Sequence, residues 1–187
     1  TKNLEKLAQV DQFGQYNDIW GYVDRSGQEY AILGTRTGTA IYLLTDPRNP
    51  QLVKVIPGAN SIWRDIKSRG DFIYVVADQG ADGIVAIDMS KAPTTITAQF
   101  YNPIAATGVN PGPITKCHNL WIDEKGYLYL SGCNVQAGGV VIFDIFTQPG
   151  VPTYVGAADA RYSHDNFVRG DTLWSADINS GLFSVTD

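Results

Sequence analysis

The sequence predicts an all-β chain, a β-propeller of four-stranded antiparallel blades, and three observations predict it. Four stretches of the 187 residues follow one pattern of strands and turns. The glycines that close the same loop in each stretch, Gly38, Gly83, Gly139 and Gly181, stand 45, 56 and 42 residues apart, which is blade spacing with one insertion. Nineteen glycines, nine prolines, ten tyrosines and one methionine suit many short strands joined by tight turns, because glycine and proline punctuate while aromatic and branched residues fit a pleated surface. A chain with 44% hydrophobic and 18% charged residues can bury a core, which excludes disorder.

A polar pair opens each unit: Asn17-Asp18, Arg64-Asp65, His118-Asn119 and His164-Asp165. An apolar strand follows, then a turn at Gly27, Gly70, Gly126 or Gly170, then a second strand carrying Tyr30, Tyr74, Tyr129 or Trp174. A third apolar strand comes after the loop glycine, and short stretches at 52–56, 96–100 and 153–156 read as outer, fourth strands. Val53 and Val55 flanking Lys54 give the alternation of an edge strand with one wet face. The units cover approximately residues 14–57, 58–101, 114–157 and 160–187. Between the second and third, the prolines and glycines of NPIAATGVNPGPIT (102–115) cannot extend a central strand and read as a long surface loop.

The fourth unit stops after its third strand, and residues 1–13, with LEKLAQVDQF at 4–13, are expected to supply the missing outer strand. Two architectures follow: a closed ring of four blades whose chain ends meet in one blade, or part of a larger propeller. With a formal net charge of −5 and scattered lysines and arginines, there is no basic field for nucleic acid. No apolar run approaches the roughly 20 residues needed to cross a bilayer as a helix. The chain begins with Thr1, as a processed or excised chain does, with any export signal lying upstream.

Cys117 and Cys133 lie symmetrically about Lys125, which sits in the turn-like Asp123-Glu124-Lys125-Gly126. That placement suits facing strands of one hairpin, where a cross-strand disulfide is geometrically possible. Two reduced, buried thiols are the alternative, since a one-residue slip would part the sulfurs.

The run NDIWGYVD, followed by EYAILGTRTGTAIYLLTDPRNP, SIWRDIK, GDFIYVVAD, CHNLWID and YSHDNFV, closely resembles the LVIVD-repeat propellers called choice-of-anchor B proteins. The likeness runs from about Leu4 to the end of the chain. It implies a secreted or surface-held bacterial propeller, tethered by a separate C-terminal anchor or sorting segment, and it brings no biochemical activity with it. It also implies further repeats after the SHD segment, which favours the larger ring. One position departs: Leu43 stands where the family usually has an aspartate, as Asp88 and Asp144 do in the second and third units. Any turn-fastening role of that aspartate is then absent from the first blade.

Equivalent positions on successive inner strands of a propeller converge on one mouth of the central channel. The candidate ligand-binding residues are therefore Asp18, Arg64, Asp65, His118, Asn119, His164 and Asp165, with Asn17 and with Trp63 just ahead of the Arg64-Asp65 pair. The chain's two histidines occupy equivalent positions, and imidazoles beside carboxylates are donors for zinc or another divalent ion, here His118, His164, Asp18 and Asp65. The structural alternative is that these side chains satisfy backbone groups and one another where the inner strands begin.

Asp78 and Asp82, alternating before Gly83, outline a second candidate, a calcium loop. It lacks the bidentate glutamate of a complete calcium hand, and the parallel Asp177-Ile178-Asn179-Ser180-Gly181 argues for turn chemistry shared by the repeats. Trp20, Trp121 and Trp174 fall where packing between blades is expected. No nucleophile elbow or phosphate loop is present. The expected role is a non-enzymatic binding or scaffold module for an unknown protein or glycan, with two rivals: a metal-dependent hydrolase or lyase at the channel mouth, and an assembly module that self-associates through an open blade edge.

Overall fold

A computed structural model describes residues 3–187. The first blade comprises β1 (Tyr16–Val23), β2 (Glu29–Thr35), β3 (Gly38–Leu43) and β4 (Gln51–Pro57). The second comprises β5 (Arg64–Arg69), β6 (Phe72–Ala77), β7 (Ile84–Lys91) and β8 (Thr95–Tyr101). After a small hairpin of β9 (Ile104–Ala105) and β10 (Gly112–Pro113) comes the third: β11 (Asn119–Ile122), β12 (Tyr127–Ser131), β13 (Val141–Asp144) and β14 (Thr153–Ala157). The fourth has three strands, β15 (Asp165–Arg169), β16 (Thr172–Asp177) and β17 (Leu182–Thr186). Each blade is an antiparallel meander in chain order, and the four are arranged as propeller blades. The predicted outer strands coincide with β4, β8 and β14.

The middle strands are apolar almost throughout because both of their faces are covered. In β6, Ile73 and Val75 point into a cluster with Ile32, Ile41 and Ile66, whereas Tyr74 and Val76 point into another with Leu120, Leu128 and Phe143. Successive side chains of a strand emerge on opposite faces, so one strand feeds the first–second and the second–third blade junctions alternately. Each fully buried side chain of this size contributes roughly 1.5–3 kcal/mol. The third junction is smaller, centred on Val140, Val168 and Leu173 with Trp121 and Tyr129 against them.

The loop glycines of the first two blades have a steric reason. A Cβ on Gly38 would stand 2.1 Å from the Ile56 carbonyl oxygen, and one on Gly83 would stand 2.1 Å from that of Tyr101. In these two blades the outer strand ends against the glycine, and both glycines also hold positive φ.

Inner strand β1 packs along β5, β5 along β11, and β11 along β15, while no strand of the fourth blade packs on the first to a comparable extent. The four blades form an open arc, not a closed ring of four. Residues 4–13 form no strand, which corrects the expected outer strand for the fourth blade; residues 1 and 2 lie outside the described residues. The segment instead lies along its own first blade, where Gln12 accepts from the Tyr42 hydroxyl (2.9 Å) and Glu5 pairs with Arg48 (3.1 Å). The 102–115 stretch is also more than a surface loop, since Ala105 and Ile114 are buried in the core beside the third blade. In the first blade, where Leu43 replaces aspartate, Asp46 fastens the turn by accepting the Arg48 N–H.

The β11–β12 register pairs Asn119 with Ser131 and Leu120 with Leu130, and two steps beyond it Cys117 and Cys133 are joined in a disulfide. The bridge closes a sequence separation of 16 residues, and a crosslink of that span is worth about 3 kcal/mol by chain-entropy reasoning. Replacing both cysteines by serine is expected to lower the unfolding free energy by about that amount in urea titrations. An unchanged midpoint would show that the bridge constrains nothing.

Candidate functional site

The inner strands begin at one mouth of the arc, and their opening residues interlock from blade to blade. Asp18 Oδ2 accepts the Ile66 N–H of the next blade at 2.8 Å. Asp65 Oδ2 accepts the Leu120 N–H at 2.7 Å, and Asn119 Oδ1 accepts the Asn166 N–H at 3.2 Å. The three acceptors are equivalent in the repeat, as are the three donors. An inner strand is the bare edge of its sheet, so its outward N–H groups have no ladder partner. The neighbouring blade's side chain supplies one.

Asp65 is buried and fully occupied: it also accepts from Asn119 Nδ2 (2.7 Å), Lys67 Nζ (2.5 Å) and its neighbour's Ile66 N–H (2.9 Å). Burial, followed by the nearby Asp65 charge, pushes the Asp18 carboxyl above its ordinary value, against the pull of backbone N–H groups and Lys67. Arg64 is buried too and turns away from the channel, donating to Thr35 O (3.0 Å), Asp82 Oδ2 (3.2 Å) and Ala59 O.

Above this layer lies a rim. Asn17, Asp18, Trp63, Arg64, Asp65, His118, Asn119 and Asp165 line a recess of about 210 Å³. His118 and His164 lie with ring centroids 4.0 Å apart and ring planes tilted by 51°, and Trp63, 52% exposed, meets His118 edge-on at 6.5 Å. Each imidazole Nδ1 faces a carboxylate, His118 that of Asp78 (3.1 Å) and His164 that of Asp165 (2.5 Å). Such a partner fixes the ring and leaves Nε2 for another contact. Among the described residues neither Nε2 has a hydrogen-bond partner.

The candidate residues thus divide between two tasks. Asp18, Asp65 and Asn119 are latches, Arg64 is an interior tie, and Trp63, His118, His164 and Asp165 are available at the rim. Among the described residues, no three His, Cys, Asp or Glu side chains are grouped to hold a metal ion. The proposed set of His118, His164, Asp18 and Asp65 does not converge, because both aspartates are spent on backbone N–H groups of the next blade. The Asp78 and Asp82 loop does not converge either: Asp78 faces His118, while Asp82 receives the Ala59 N–H (2.8 Å) and Arg64. The pairing of Asp78 with a histidine 40 residues away has no signal in the sequence.

No protein-family profile and no curated protein matches the chain. Among solved structures it is similar to a Bacteroides uniformis protein provisionally named a 6-phosphogluconolactonase, at 15% identity and a TM-score of 0.65, covering 89% of this chain and 49% of that one. A protein from Lactobacillus plantarum aligns at 13% identity and a TM-score of 0.56, covering 92% of this chain and 54% of that one. The likeness is to the propeller fold alone. The chain spans about half the length of these structures. Among the described residues, no helix is long and apolar enough to cross a membrane.

The raised Asp18 pKa has a sign that can be tested. The folded state holds this proton more tightly than the unfolded chain does, so stability falls as pH rises from the ordinary value of 3.8 through the raised one. Asp18→Asn keeps an acceptor for the Ile66 N–H without the charge. Its melting temperature relative to the parent is therefore expected to climb as pH rises above the ordinary carboxyl value of 3.8 and to level off once the Asp18 carboxyl of the folded parent is fully ionised. A difference that does not vary with pH would contradict the assigned environment.

Proposed function

We propose that this chain is a non-enzymatic binding module that holds a glycan at the mouth of its propeller. The observation that carries this reading is the rim itself: an exposed tryptophan in line with two adjacent, tilted histidines, each turned by its own carboxylate and each with an Nε2 to spare. An aromatic face takes the apolar side of a sugar ring, and the surrounding acceptors take hydroxyl protons.

The charge of the recess argues against a phosphorylated substrate. Arg64 is committed to Thr35, Ala59 and Asp82, and Lys67 to Asp65. A phosphate there would face Asp18, Asp65 and Asp165 with no available cation, whereas phosphate sites rely on arginine, lysine or backbone N–H groups. The activity in the Bacteroides protein's name is therefore not carried over.

The resemblance of NDIWGY, SIWRDIK and CHNLWID to choice-of-anchor B propellers supports a bacterial cell-surface or secreted setting. The Cys117–Cys133 bridge agrees with that, since disulfides persist in oxidising compartments.

The test is a screen of neutral oligosaccharides followed by calorimetry on the parent and on Trp63→Ala. Loss of the stacking face is expected to weaken binding about tenfold, matching about 1.4 kcal/mol. Equal affinity for parent and variant would remove the rim from the account. Turnover of 6-phosphogluconolactone, abolished by His164→Ala, would overturn the non-enzymatic reading.

A further inference from the structure

At the far turns, opposite the mouth, an ion pair spans two of the three blade junctions. Arg25 of the first blade pairs with Asp71 of the second, and Lys125 of the third pairs with Asp171 of the fourth. The middle junction differs. Arg69, the last residue of β5, reaches the third blade through Nη1 alone, donating to Asp123 O (3.1 Å) and Glu124 O (3.3 Å). Among the described residues it meets no carboxylate, and its Nε and Nη2 have no hydrogen-bond partner. A guanidinium does not give up its proton in a protein, so half-buried Arg69 is a cation with donors to spare.

The three carboxylates of these turns are engaged elsewhere. Asp71 is held by Arg25 through Nε (2.9 Å) and Nη2. Asp123 folds back into its own blade, accepting the Gly126 and Tyr127 N–H groups and the Tyr129 hydroxyl. Glu124 accepts the Gly170 N–H of the fourth blade at 2.7 Å.

Arg69 forms part of the wall of a cavity of about 480 Å³, more than twice the volume of the recess at the mouth. Most of the remaining wall is apolar, from Phe72, Ile145, Phe146 and Pro149. Two glycines let these walls stand where they do. A Cβ on Gly126 would lie 2.9 Å from Arg69 Nε and 2.7 Å from Phe146 Cβ, and one on Gly150 would collide with the Phe72 ring. The Gly150 N–H in turn donates to the buried Tyr74 hydroxyl (3.1 Å), which fastens the loop after β13. Both blades that form the cavity have a neighbour on either side, so it is internal to the arc.

We propose that this cavity is a second binding site, for a small aromatic carboxylate whose ring lies among Phe72, Phe146 and Pro149 and whose carboxylate meets Arg69. Its volume is that of a small-molecule site. One uncompensated cation suits a monoanion, and an arginine fork matches a carboxylate. A phosphate monoester carries close to two charges at neutral pH and would need a second cation, whereas Arg25 is taken by Asp71. At about 3.3 Å per residue along β5, the site lies roughly 17 Å from the mouth, and it is independent of the glycan reading.

Calorimetry with indole-3-acetate, its neutral amide and inorganic phosphate tests the proposal. The acid is expected to bind, and the amide and phosphate each to bind about tenfold more weakly or worse. Arg69→Gln and Phe146→Ala are each expected to weaken the acid by about tenfold. Phe146 is 68% exposed, so its variant keeps the fold and remains informative should Arg69→Gln unfold. Any oligosaccharide binding at the mouth should be unchanged in Phe146→Ala. No binding of benzoate, phenylacetate or indole-3-acetate at millimolar concentration would overturn the site. Equal affinity for acid and amide would overturn the role of Arg69, and affinity indifferent to both variants would overturn the placement.

Discussion

The hydrogen bond from an inner-strand N–H to a side chain of the preceding blade is the interaction on which this architecture turns. An inner strand has a paired side and a bare side, and its bare N–H groups face the channel. Asp18, Asp65 and Asn119 satisfy one such group each and tie consecutive blades together at the same height. A hydrogen bond to a charged acceptor is worth about 1.5–3 kcal/mol, and leaving the donor bare and buried costs a similar amount. Substituting one latch therefore weakens a junction through both effects at once.

The latches set the register, and apolar burial supplies the bulk of the adhesion. Because β6 and β7 send alternate side chains into opposite junctions, the second blade cannot shift against one neighbour without disturbing the other. The latch layer also determines what the mouth can offer. By consuming Asp18 and Asp65 it removes them from metal chemistry, and by fixing β5, β11 and β15 side by side it sets Trp63, His118 and His164 in a row. Scaffold and site are thus two levels of the same stack of residues, the lower one occupied and the upper one open to solvent.

Much of the fold was legible in the sequence because its determinants are local and repeated. Strand period and turn glycines depend on near neighbours, so the blades and the outer strands β4, β8 and β14 could be read directly, whereas the symmetry of Cys117 and Cys133 about Lys125 left bridge and free thiols both open until the register was seen. Residues 4–13 misled because apolar alternation shows that a segment can form a strand but not which edge will accept it; the Tyr42 and Arg48 side chains hold it on the first blade instead. The candidate site was legible as positions but not as roles. That Asp18, Asp65, His118 and Asn119 would gather followed from the repeat. Whether each would face a backbone N–H, a histidine or solvent depends on angles between blades, which no spacing encodes. Asp78 illustrates the limit, since its loop read as turn chemistry, with a calcium site as the weaker candidate, and it serves as the partner of His118.

Amide hydrogen exchange measured residue by residue tests the latch account most directly. The Ile66, Leu120 and Asn166 amides, though on bare strand edges, should exchange as slowly as amides within the blades. In Asp65→Ala the Leu120 amide alone of these three should become fast. Rapid exchange of all three in the parent, or a Leu120 amide still protected in the variant, would contradict it.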